Sequence, residues 1–475
     1  MNDTTETSLL DRTLKGAWRA IAGVARGITN GDVAPELPDA DIDRLKSQIH
    51  ECLEAKGGEV TARSRTAKLG QTYLSLNTEG RRRFLGVLAR EVSVDPENIQ
   101  AAIAVWQQGA TDDERQHAQR KLRVALRTPR FTLYKQFTAL PEGVKFLVDL
   151  RAEVLEFRKQ DELLGVLEAE LKSLLLSWFD FGFLELKRID WDSPASVLEK
   201  LIEYEAVHRI HGWEDLKNRL ESDRRCFGFF HPRMPNEPLI FVEVALVNGM
   251  ADNVQSLLDT QAPIIDPETA DAAIFYSISN AQKGLAGISF GDFLIKRVVD
   301  LLAAEFKGLK TFATLSPVPG FRPWLMAKLA TTTTDERTLL SAAERKKLAV
   351  LQPDRIDADG LRELLETPDW HSNAAIAAVL EGPLTRLCAQ YLVHEKRGGA
   401  LAANPVAHFH LSNGARVERL NWLGDTSHNG LSNATGMMVN YLYNRADIEK
   451  NHESYRSDGQ IPSSPAVKAL AKVKK

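Results

Sequence analysis

Ser316 is a candidate for chemistry because it stands where a predicted strand ends and a rigid turn begins. Residues 311–315 predict the strand, and Ser316 is followed by Pro317, Pro319 and Gly320. Each proline fixes its own backbone and removes an N–H donor, so the serine is held at the carboxyl edge of the predicted sheet. Taken alone, the segment favours a turn-forming serine that bonds its own backbone. A chemical role requires a partner from elsewhere in the chain.

Two pairs of histidines could supply such a partner. His408 and His410 fall in a predicted strand, residues 407–411, so their side chains would share one face. They could bind a metal ion together, but the sequence offers no third ligand. His208 and His211 lie one predicted helical turn apart, beside Glu205. A structural histidine with satisfied hydrogen bonds is the commoner outcome for each, and we predict no metal site.

A glycine-rich segment between a predicted strand, residues 272–279, and a predicted helix that begins near Asp292 could bind an anion. A helix N-terminus presents free N–H groups and a positive dipole end, and glycines let that backbone approach a pyrophosphate closely. The alternative is a glycine-rich turn before a packed helix. The spacing fits neither a P-loop nor a dinucleotide-binding fingerprint. Nearby cations that could add charge are Lys283, Lys296 and Arg297.

The elements that must position these residues fall into two regions. Residues 1–40 form a lead-in, residues 41–177 a helical domain and residues 178–475 a second domain. Two domains are expected because single cores stop growing well below this length. Apolar residues of the helical domain recur at helical spacing, which predicts a core packed as a helical bundle. Examples of this spacing are Leu163, Leu167, Leu171 and Leu174, and predicted helix caps are Thr78 and Thr111.

The overall fold class is therefore α+β, with an all-α N-terminal domain followed by a mixed α/β domain. Helices of the second domain are predicted at residues 195–219 and 292–306, with a helical insertion at residues 322–396. Predicted strands are residues 226–230, 239–247, 272–279 and 311–315, and a late pair, residues 407–411 and 417–422, around the turn dipeptide Asn413-Gly414.

Composition limits the partners and the compartment. The net charge of -4 gives no general basic field for nucleic acid. No apolar run approaches the roughly 18 residues of a membrane span. The three cysteines lack C-x-x-C spacing, which is typical of a reducing compartment. We predict a cytoplasmic protein without nucleic-acid or membrane partners. The basic amphipathic residues 14–26 leave a mitochondrial transit peptide as the alternative.

The order of elements in the second domain resembles the GNAT acyltransferase fold. That fold runs through a helix, antiparallel strands, a glycine loop, a helix, another strand and late strands. Its loop, Gln/Arg-x-x-Gly-x-Gly/Ala, grips the pyrophosphate of CoA. Residues 282–287, which begin with Gln282, resemble this loop with the glycine spacing one residue off.

Three longer blocks resemble the malonyl-CoA decarboxylase family, and they occur in family order and at family spacing. The first is Gly291-Asp292-Phe293-Leu294-Ile295-Lys296-Arg297-Val298-Val299. The second is Thr314-Leu315-Ser316-Pro317-Val318-Pro319-Gly320-Phe321. The third is Pro405-Val406-Ala407-His408-Phe409-His410-Leu411-Ser412-Asn413-Gly414-Ala415, continued by Leu420-Asn421-Trp422 and by Gly436-Met437-Met438-Val439-Asn440-Tyr441-Leu442-Tyr443.

This resemblance implies an N-terminal oligomerisation domain, in a dimer or tetramer, and a GNAT-like catalytic domain. Ser316 and His410 match the family's catalytic serine and histidine, and Tyr443 matches a supporting tyrosine. Asn413 and Gln282 are further supporting candidates. The residues that match the acyl-CoA loop are Ala286, Gly287, Ile288, Ser289, Phe290, Gly291 and Asp292. Some relatives carry glutamate where this chain has Ser289, so no role of that carboxylate transfers here.

The implied reaction converts malonyl-CoA to acetyl-CoA and CO2. No metal or organic cofactor is expected, because the thioester carbonyl itself accepts the electron pair. We predict that Ser316 orients the malonyl carboxylate and His410 delivers a proton to carbon; the reverse arrangement, in which the pair binds the enolate oxygen, is equally open. The alternatives are a GNAT acyltransferase, which needs an acceptor, and a non-catalytic malonyl-CoA sensor, which binds without consuming.

Overall fold

The computed structural model describes residues 33–54, 58–179, 181–288, 294–331 and 339–472, and the chain divides into two compact units. The first comprises Met1–Glu185, Phe230–Pro238 and Gln282–Ser289. The second comprises Leu186–Phe229, Leu239–Ala281 and Phe290–Lys475. Two short segments from later in the chain thus belong to the first unit, and one of them contains most of the glycine-rich loop.

The first unit is built from helices, as the apolar spacing predicts. They are α1 (Asp39–Leu53), α2 (Glu59–Ser75), α3 (Thr78–Glu91), α4 (Pro96–Gln108), α5 (Asp112–Ala125), α6 (Pro129–Thr138), α7 (Gly143–Phe157) and α8 (Gly165–Trp178). Thr111 caps α5 in a capping box with Glu114, which confirms that prediction. The cap of α3 is Asn77, one residue before the predicted Thr78, because the side-chain oxygen of Asn77 accepts the Gly80 N–H.

Helix α7 lies at the centre of this unit, because every residue from 143 to 154 is buried. Its apolar side chains join a core that includes Phe84, Leu147 and Leu171. Its charged side chains are paired inside that core, as buried charges must be. The pairs are Lys145 with Asp149 at 2.5 Å, Arg151 with Glu168 at 2.6 Å, and Glu153 with Arg81 at 2.9 Å.

The second unit is built around a mixed sheet of eight strands. Along the chain come β1 (Glu185–Ile189), α9 (Ala195–Tyr204), α10 (Trp213–Arg219), β2 (Arg224–Phe230), β3 (Ile240–Val247), α11 (Val254–Leu257), β4 (Ala272–Asn280), α12 (Leu294–Glu305), β5 (Thr311–Thr314) and β6 (Ser316–Pro317). The predicted strands at 226–230, 239–247, 272–279 and 311–315 are therefore confirmed. The sheet order is β1-β2-β3-β4-β5-β10-β6, and β9 pairs with β10.

The predicted helical insertion is present after β6. It contains α13 (Phe321–Thr331), α14 (Ala342–Leu348), α15 (Ala358–Glu366) and α16 (Ala374–His394). The chain continues through β7 (Lys396–Arg397), β8 (Leu401–Ala402), α17 (Pro405–Ser412), β9 (Arg416–Asn421), α18 (His428–Ala434), β10 (Met438–Leu442), α19 (Ile448–Asp458) and α20 (Pro465–Ala471). Strand β10 has no counterpart in the sequence prediction.

Strands β4 and β5 run parallel, with Ala273 opposite Phe312, and helix α12 forms the connection between them. The apolar face of α12, which includes Ile295, Val298 and Leu302, is buried as its amphipathic pattern predicts. The described contacts of β10 with β5, β6 and β9 are all antiparallel. Strand β10 therefore holds the end of β5 and the start of β6 in one register.

Two predictions for this unit are wrong. Residues 407–411 are not a strand but part of α17, because Asn404 caps this segment and Pro405 occupies the first helical turn. Strand β9 consequently pairs with β10 instead of forming a hairpin around Asn413-Gly414. The predicted helix at residues 195–219 is two helices, α9 and α10, so His208 and His211 lie between helices and not on one.

Candidate active site

Ser316 is placed by the sheet on one side and by a fixed turn on the other. It lies opposite Val439 of β10 and is 6% exposed. The turn after it is held at Pro319, whose carbonyl oxygen accepts hydrogen bonds from Asn404 Nδ2 at 2.8 Å and Tyr391 Oη at 3.1 Å. Because Asn404 also caps α17 through the Ala407 N–H, the turn and that helix share one anchor.

His410 lies on the last turn of α17 and meets Ser316 directly. Its Nε2 atom is 3.1 Å from Ser316 Oγ, and its Nδ1 atom is 2.8 Å from Tyr443 Oη. His410 is 3% exposed and Tyr443 is 1% exposed. The structure therefore brings together three residues that the sequence singled out, although the serine and histidine are separated by 94 positions.

Two further residues complete this site, and sequence reasoning missed both. Thr314 Oγ1 accepts a hydrogen bond from Ser316 Oγ at 2.8 Å, and the Tyr441 ring stacks on the His410 imidazole with 4.5 Å between centroids. A signal for Thr314 exists in the sequence, because residues two apart on a strand face the same side. Tyr441 and Tyr443 show the same spacing.

Burial sets the charge of the site. It lowers the pKa of His410 to about 3, because removing the imidazole from water penalises its protonated form. The same desolvation raises the pKa of Tyr443 well above its ordinary value. At neutral pH the imidazole and the phenol are both uncharged, so each can donate a hydrogen bond without carrying a formal charge.

His408 does not share the site with His410. Residues at positions i and i+2 of a helix lie on nearly opposite faces. The Nδ1 atom of His408 is 2.7 Å from Tyr455 Oη, on the other side of α17 from Ser316. In the described ranges no three histidine, cysteine, aspartate or glutamate side chains come together as metal ligands. Asn413 ends α17, where its Nδ2 atom donates to the Phe409 carbonyl oxygen at 2.9 Å.

The described part of the glycine-rich loop is fixed within the first unit. Gln282 is 2% exposed, and its Nε2 atom donates to the Pro238 carbonyl oxygen at 3.1 Å. The buried Arg151 of α7 donates to the carbonyl oxygens of Gly284 at 2.5 Å and Ala286 at 2.9 Å. A β-carbon at Gly284 would lie 1.7 Å from the Val148 carbonyl oxygen, so only glycine allows this approach.

The side of the loop away from Arg151 carries the Gly287 N–H and, close to it, Lys172 of α8. Because Arg151 holds the Ala286 carbonyl oxygen, the N–H of Gly287 points the opposite way across their planar peptide. Among the described residues that N–H has no partner, and neither has the ammonium group of Lys172 on α8. A β-carbon at Gly287, where φ is 72°, would lie 3.7 Å from Lys172 Nζ.

Of the remaining predicted loop residues and the three predicted cations, those that the structure describes lie in different surroundings. Ile288 is buried. Ser289, Phe290, Gly291 and Asp292 lie outside the described residues. Of the three cations predicted near the loop, Lys283 is exposed, Lys296 pairs with Glu449 at 2.7 Å, and Arg297 lies over the Phe229 ring. Lys172, which the sequence did not single out, is the cation beside Gly287.

Two family models match this chain. Residues 182–475 match the malonyl-CoA decarboxylase C-terminal domain, and residues 92–179 match the malonyl-CoA decarboxylase N-terminal domain. The chain belongs to the malonyl-CoA decarboxylase family. It is therefore an enzyme of the carboxy-lyase class.

Individual members of the family agree with this assignment. The mitochondrial malonyl-CoA decarboxylase of the goose Anser anser anser is 36% identical over 96% of this chain and 93% of its own length. The rat mitochondrial malonyl-CoA decarboxylase is 39% identical over 82% of this chain and 81% of its own length.

A crystal structure of malonyl-CoA decarboxylase from Rhodopseudomonas palustris superimposes with a TM-score of 0.81 at 40% identity, over 90% of this chain and 99% of that one. The malonyl-CoA decarboxylase from Agrobacterium vitis gives a TM-score of 0.79 at 39% identity, over 90% of this chain and all of that one. The helical unit followed by a mixed sheet is thus a shared family architecture.

Proposed function

We propose that this enzyme decarboxylates malonyl-CoA to acetyl-CoA and CO2 with Ser316 and His410 as its catalytic residues. The observation that carries the proposal is the 3.1 Å contact between Ser316 Oγ and His410 Nε2, with Tyr443 Oη on the other imidazole nitrogen. The family models and the relatives named above support the substrate.

The chemistry follows from the electron balance of a malonyl thioester. The bond to the carboxylate carbon breaks, CO2 leaves, and the electron pair moves into the thioester as an enolate. The enolate carbon then takes one proton, which solvent must replace on the enzyme after each turnover. The carbonyl of the thioester is the electron sink, so the proposal includes neither a metal nor an organic cofactor. Neutral hydrogen-bond donors in a buried site stabilise the charge that develops.

Within this mechanism Ser316 orients the malonyl carboxylate and His410 is the source of the proton. The low pKa of His410 means that the proton comes from a neutral imidazole. A neutral imidazole is a weak acid, but the C–H group of the thioester that forms is a weaker acid still. Proton transfer from the imidazole to the enolate carbon is therefore downhill. As Nε2 loses its proton, Tyr443 can pass its hydroxyl proton to Nδ1, which leaves a phenolate that solvent must reprotonate before the next turnover.

We further propose that the loop containing Ala286, Gly287 and Ile288, with Ser289, Phe290, Gly291 and Asp292, binds the pyrophosphate of CoA. Two groups support this assignment, the Gly287 N–H and the Lys172 ammonium group beside it, neither of which has a partner among the described residues. Backbone N–H groups and a lysine are the usual means of holding a phosphate. Such a loop is also what a GNAT-like catalytic domain would require.

The proposed compartment is the cytoplasm, with no nucleic-acid partner. All three cysteines are free and buried, as a reducing compartment allows. The goose and rat relatives are named as mitochondrial, which makes a mitochondrial location the alternative. As for membranes, no helix within the described ranges is both long enough and apolar enough to span one.

The proposal is tested by supplying malonyl-CoA without any acceptor and measuring released CO2 and acetyl-CoA. We expect turnover by the unmodified enzyme and a loss of about 10²-fold or more in His410→Asn, because proton delivery is removed. CoA binding measured by calorimetry should survive that change. His408→Asn is the matched control, since it alters the same helix on its opposite face and should keep turnover.

Three results would reject the proposal. A His410→Asn variant with unmodified turnover would remove His410 from the chemistry. Tight binding of malonyl-CoA without CO2 release by the unmodified enzyme would favour a sensor, and acyl transfer seen only when an amine is added would favour a GNAT acyltransferase.

A further inference from the structure

Thr314 occupies a break in the backbone ladder beside the proposed catalytic serine. Strand β10 pairs with β5 at Leu442 and Ala313, and with β6 at Val439 and Ser316. Between these two pairs, the hydrogen bonds across the two strands each join a side chain to a main-chain group. The Tyr441 N–H donates to Thr314 Oγ1 at 3.1 Å, and Asn440 Nδ2 donates to the Thr314 carbonyl oxygen at 2.7 Å.

The hydrogen bonds of Thr314 decide where the Ser316 proton lies. A hydroxyl oxygen can accept two hydrogen bonds, and Thr314 Oγ1 accepts one from Tyr441 N–H and one from Ser316 Oγ. A serine has one hydroxyl proton, and the geometry of this contact favours Ser316 as the donor and Thr314 as the acceptor. That proton cannot also be donated to His410, so the 3.1 Å bond between the pair requires the proton to be on His410 Nε2.

Tyr443, at the other end of this row of hydrogen bonds, leads independently to the same tautomer of His410. Within the described structure, His410 Nδ1 is the one hydrogen-bond partner of Tyr443 Oη. Tyr443 is 1% exposed, so its hydroxyl proton would be left buried and unpaired if Nδ1 were protonated. If Tyr443 donates to an unprotonated Nδ1, the single proton of the neutral imidazole is on Nε2.

We propose that Thr314 is a positioning residue that directs hydrogen bonding from Tyr443 through His410 to Ser316, and thereby fixes the Nε2–H tautomer of His410. This inference rests on the proposed function for its catalytic meaning. In a serine hydrolase the serine donates to the histidine, which prepares an oxygen nucleophile. Here the histidine donates to the serine, so the resting pair is arranged to give a proton to substrate. The same two residue types thus serve protonation of carbon and not acyl transfer to oxygen.

The direct test is the nitrogen NMR spectrum of protein labelled with [15N]histidine, with the His410 signals identified by their loss in His410→Asn. We expect Nε2 to be protonated and Nδ1 to be unprotonated in the unmodified enzyme. A protonated Nδ1 would overturn the inference without any variant. The spectrum reports the proton order even if malonyl-CoA proves not to be the substrate, so it separates this inference from the proposed function.

The role of Thr314 itself is tested with a pair of variants. Thr314→Val keeps the shape but removes the acceptor, which frees the Ser316 proton to turn toward His410. We expect a partly protonated Nδ1 and a fall in kcat on the order of 10-fold to 100-fold with little change in KM. Thr314→Ser keeps the hydroxyl and should retain both the tautomer and most of kcat. An unmodified tautomer and kcat in Thr314→Val, or no rescue by Thr314→Ser, would overturn the assignment.

Discussion

At the scale of single residues, the chemistry of this site depends on how deeply His410 is buried. An exposed imidazole is about half protonated near pH 6.5 and changes charge across the physiological range. His410 is enclosed by Phe409, Tyr441 and Tyr443, and burial moves its pKa to about 3. At neutral pH the proposed catalytic histidine therefore carries no resting positive charge.

This burial predicts a specific pH dependence of stability. The pKa of His410 is lower in the folded protein than in the unfolded chain, where it is near 6.5. Below pH 6.5 the unfolded chain binds a proton that the folded protein does not, so folding is weakened as the pH falls. Between pH 7.5 and pH 5 we expect this residue to lower the free energy of unfolding by about 2 kcal/mol.

Urea unfolding at the two pH values measures this effect, with His410→Gln as the reference that lacks the imidazole. The unmodified protein should lose about 2 kcal/mol more than the variant. Equal losses in the two proteins would show that His410 titrates alike in the folded and unfolded states.

At the scale of elements, α17 and β10 explain why Ser316 and His410, the proposed catalytic pair, come together. Helix α17 carries His410 and begins at Asn404, whose side chain also holds the Pro319 carbonyl of the turn after Ser316. Strand β10 aligns Ser316 on one side, and the chain that leaves it carries Tyr443 to the imidazole. One capping side chain and one strand thus fix the relative position of the serine and the histidine.

The glycine-rich loop allows a prediction at the same scale. In Gly284→Ala the added methyl group would lie 1.7 Å from the Val148 carbonyl oxygen, so the loop must move away from α7. We expect a loss of stability of about 1–3 kcal/mol and, if the loop holds the CoA pyrophosphate, a raised KM for malonyl-CoA. Thermal unfolding and steady-state kinetics measure the two effects.

Gly165→Ala is the matched control for this change. It places the same methyl group in the same unit, at a position with nothing within 4 Å. Its stability and KM should stay near those of the unmodified enzyme. If the two variants behaved alike, the close packing of Gly284 on α7 would not be what positions the loop.

At the scale of the whole molecule, helices α4 and α5 leave apolar side chains uncovered. Each has a single buried residue, Ala102 on α4 and Ala118 on α5. Trp106 is 49% exposed and Val124 is 73% exposed. Isolated exposed apolar side chains are common, but several on one helical hairpin are typical of an interaction surface. We propose that a second copy of this chain covers them, consistent with the homo-oligomer, a dimer or tetramer, that the family resemblance implies.

Light scattering after size exclusion tests this assembly. The unmodified protein should have a mass that is a multiple of the monomer, and Trp106→Glu should shift it toward the monomer, because burying an unpaired carboxylate is costly. Trp213→Glu is the control, since Trp213 is similarly exposed, at 47%, but lies outside the helical unit. A monomeric unmodified protein, or equal effects of the two changes, would reject this surface as the interface.

The sequence alone determined those features that depend on neighbours along the chain. Apolar spacing identified the helices of the first unit, β-branched and aromatic runs identified four central strands, and the residues after Ser316 marked a rigid turn. The family resemblance selected Ser316, His410 and Tyr443. Local pattern was less successful for α17. The apolar run before Asn413-Gly414 favoured a strand, although Asn404 and Pro405 are signals for the start of a helix.

Only the tertiary structure decided which distant groups share hydrogen bonds. Nothing near Thr314 in sequence indicates that its hydroxyl accepts the Tyr441 N–H across a break between strands, or that the Tyr441 ring covers His410. Nor does local sequence show that Arg151, 133 positions earlier, holds the Gly284 carbonyl oxygen. Helix and strand propensity act over a few residues, whereas hydrogen-bond satisfaction in a buried site depends on every atom that packing brings within about 3 Å.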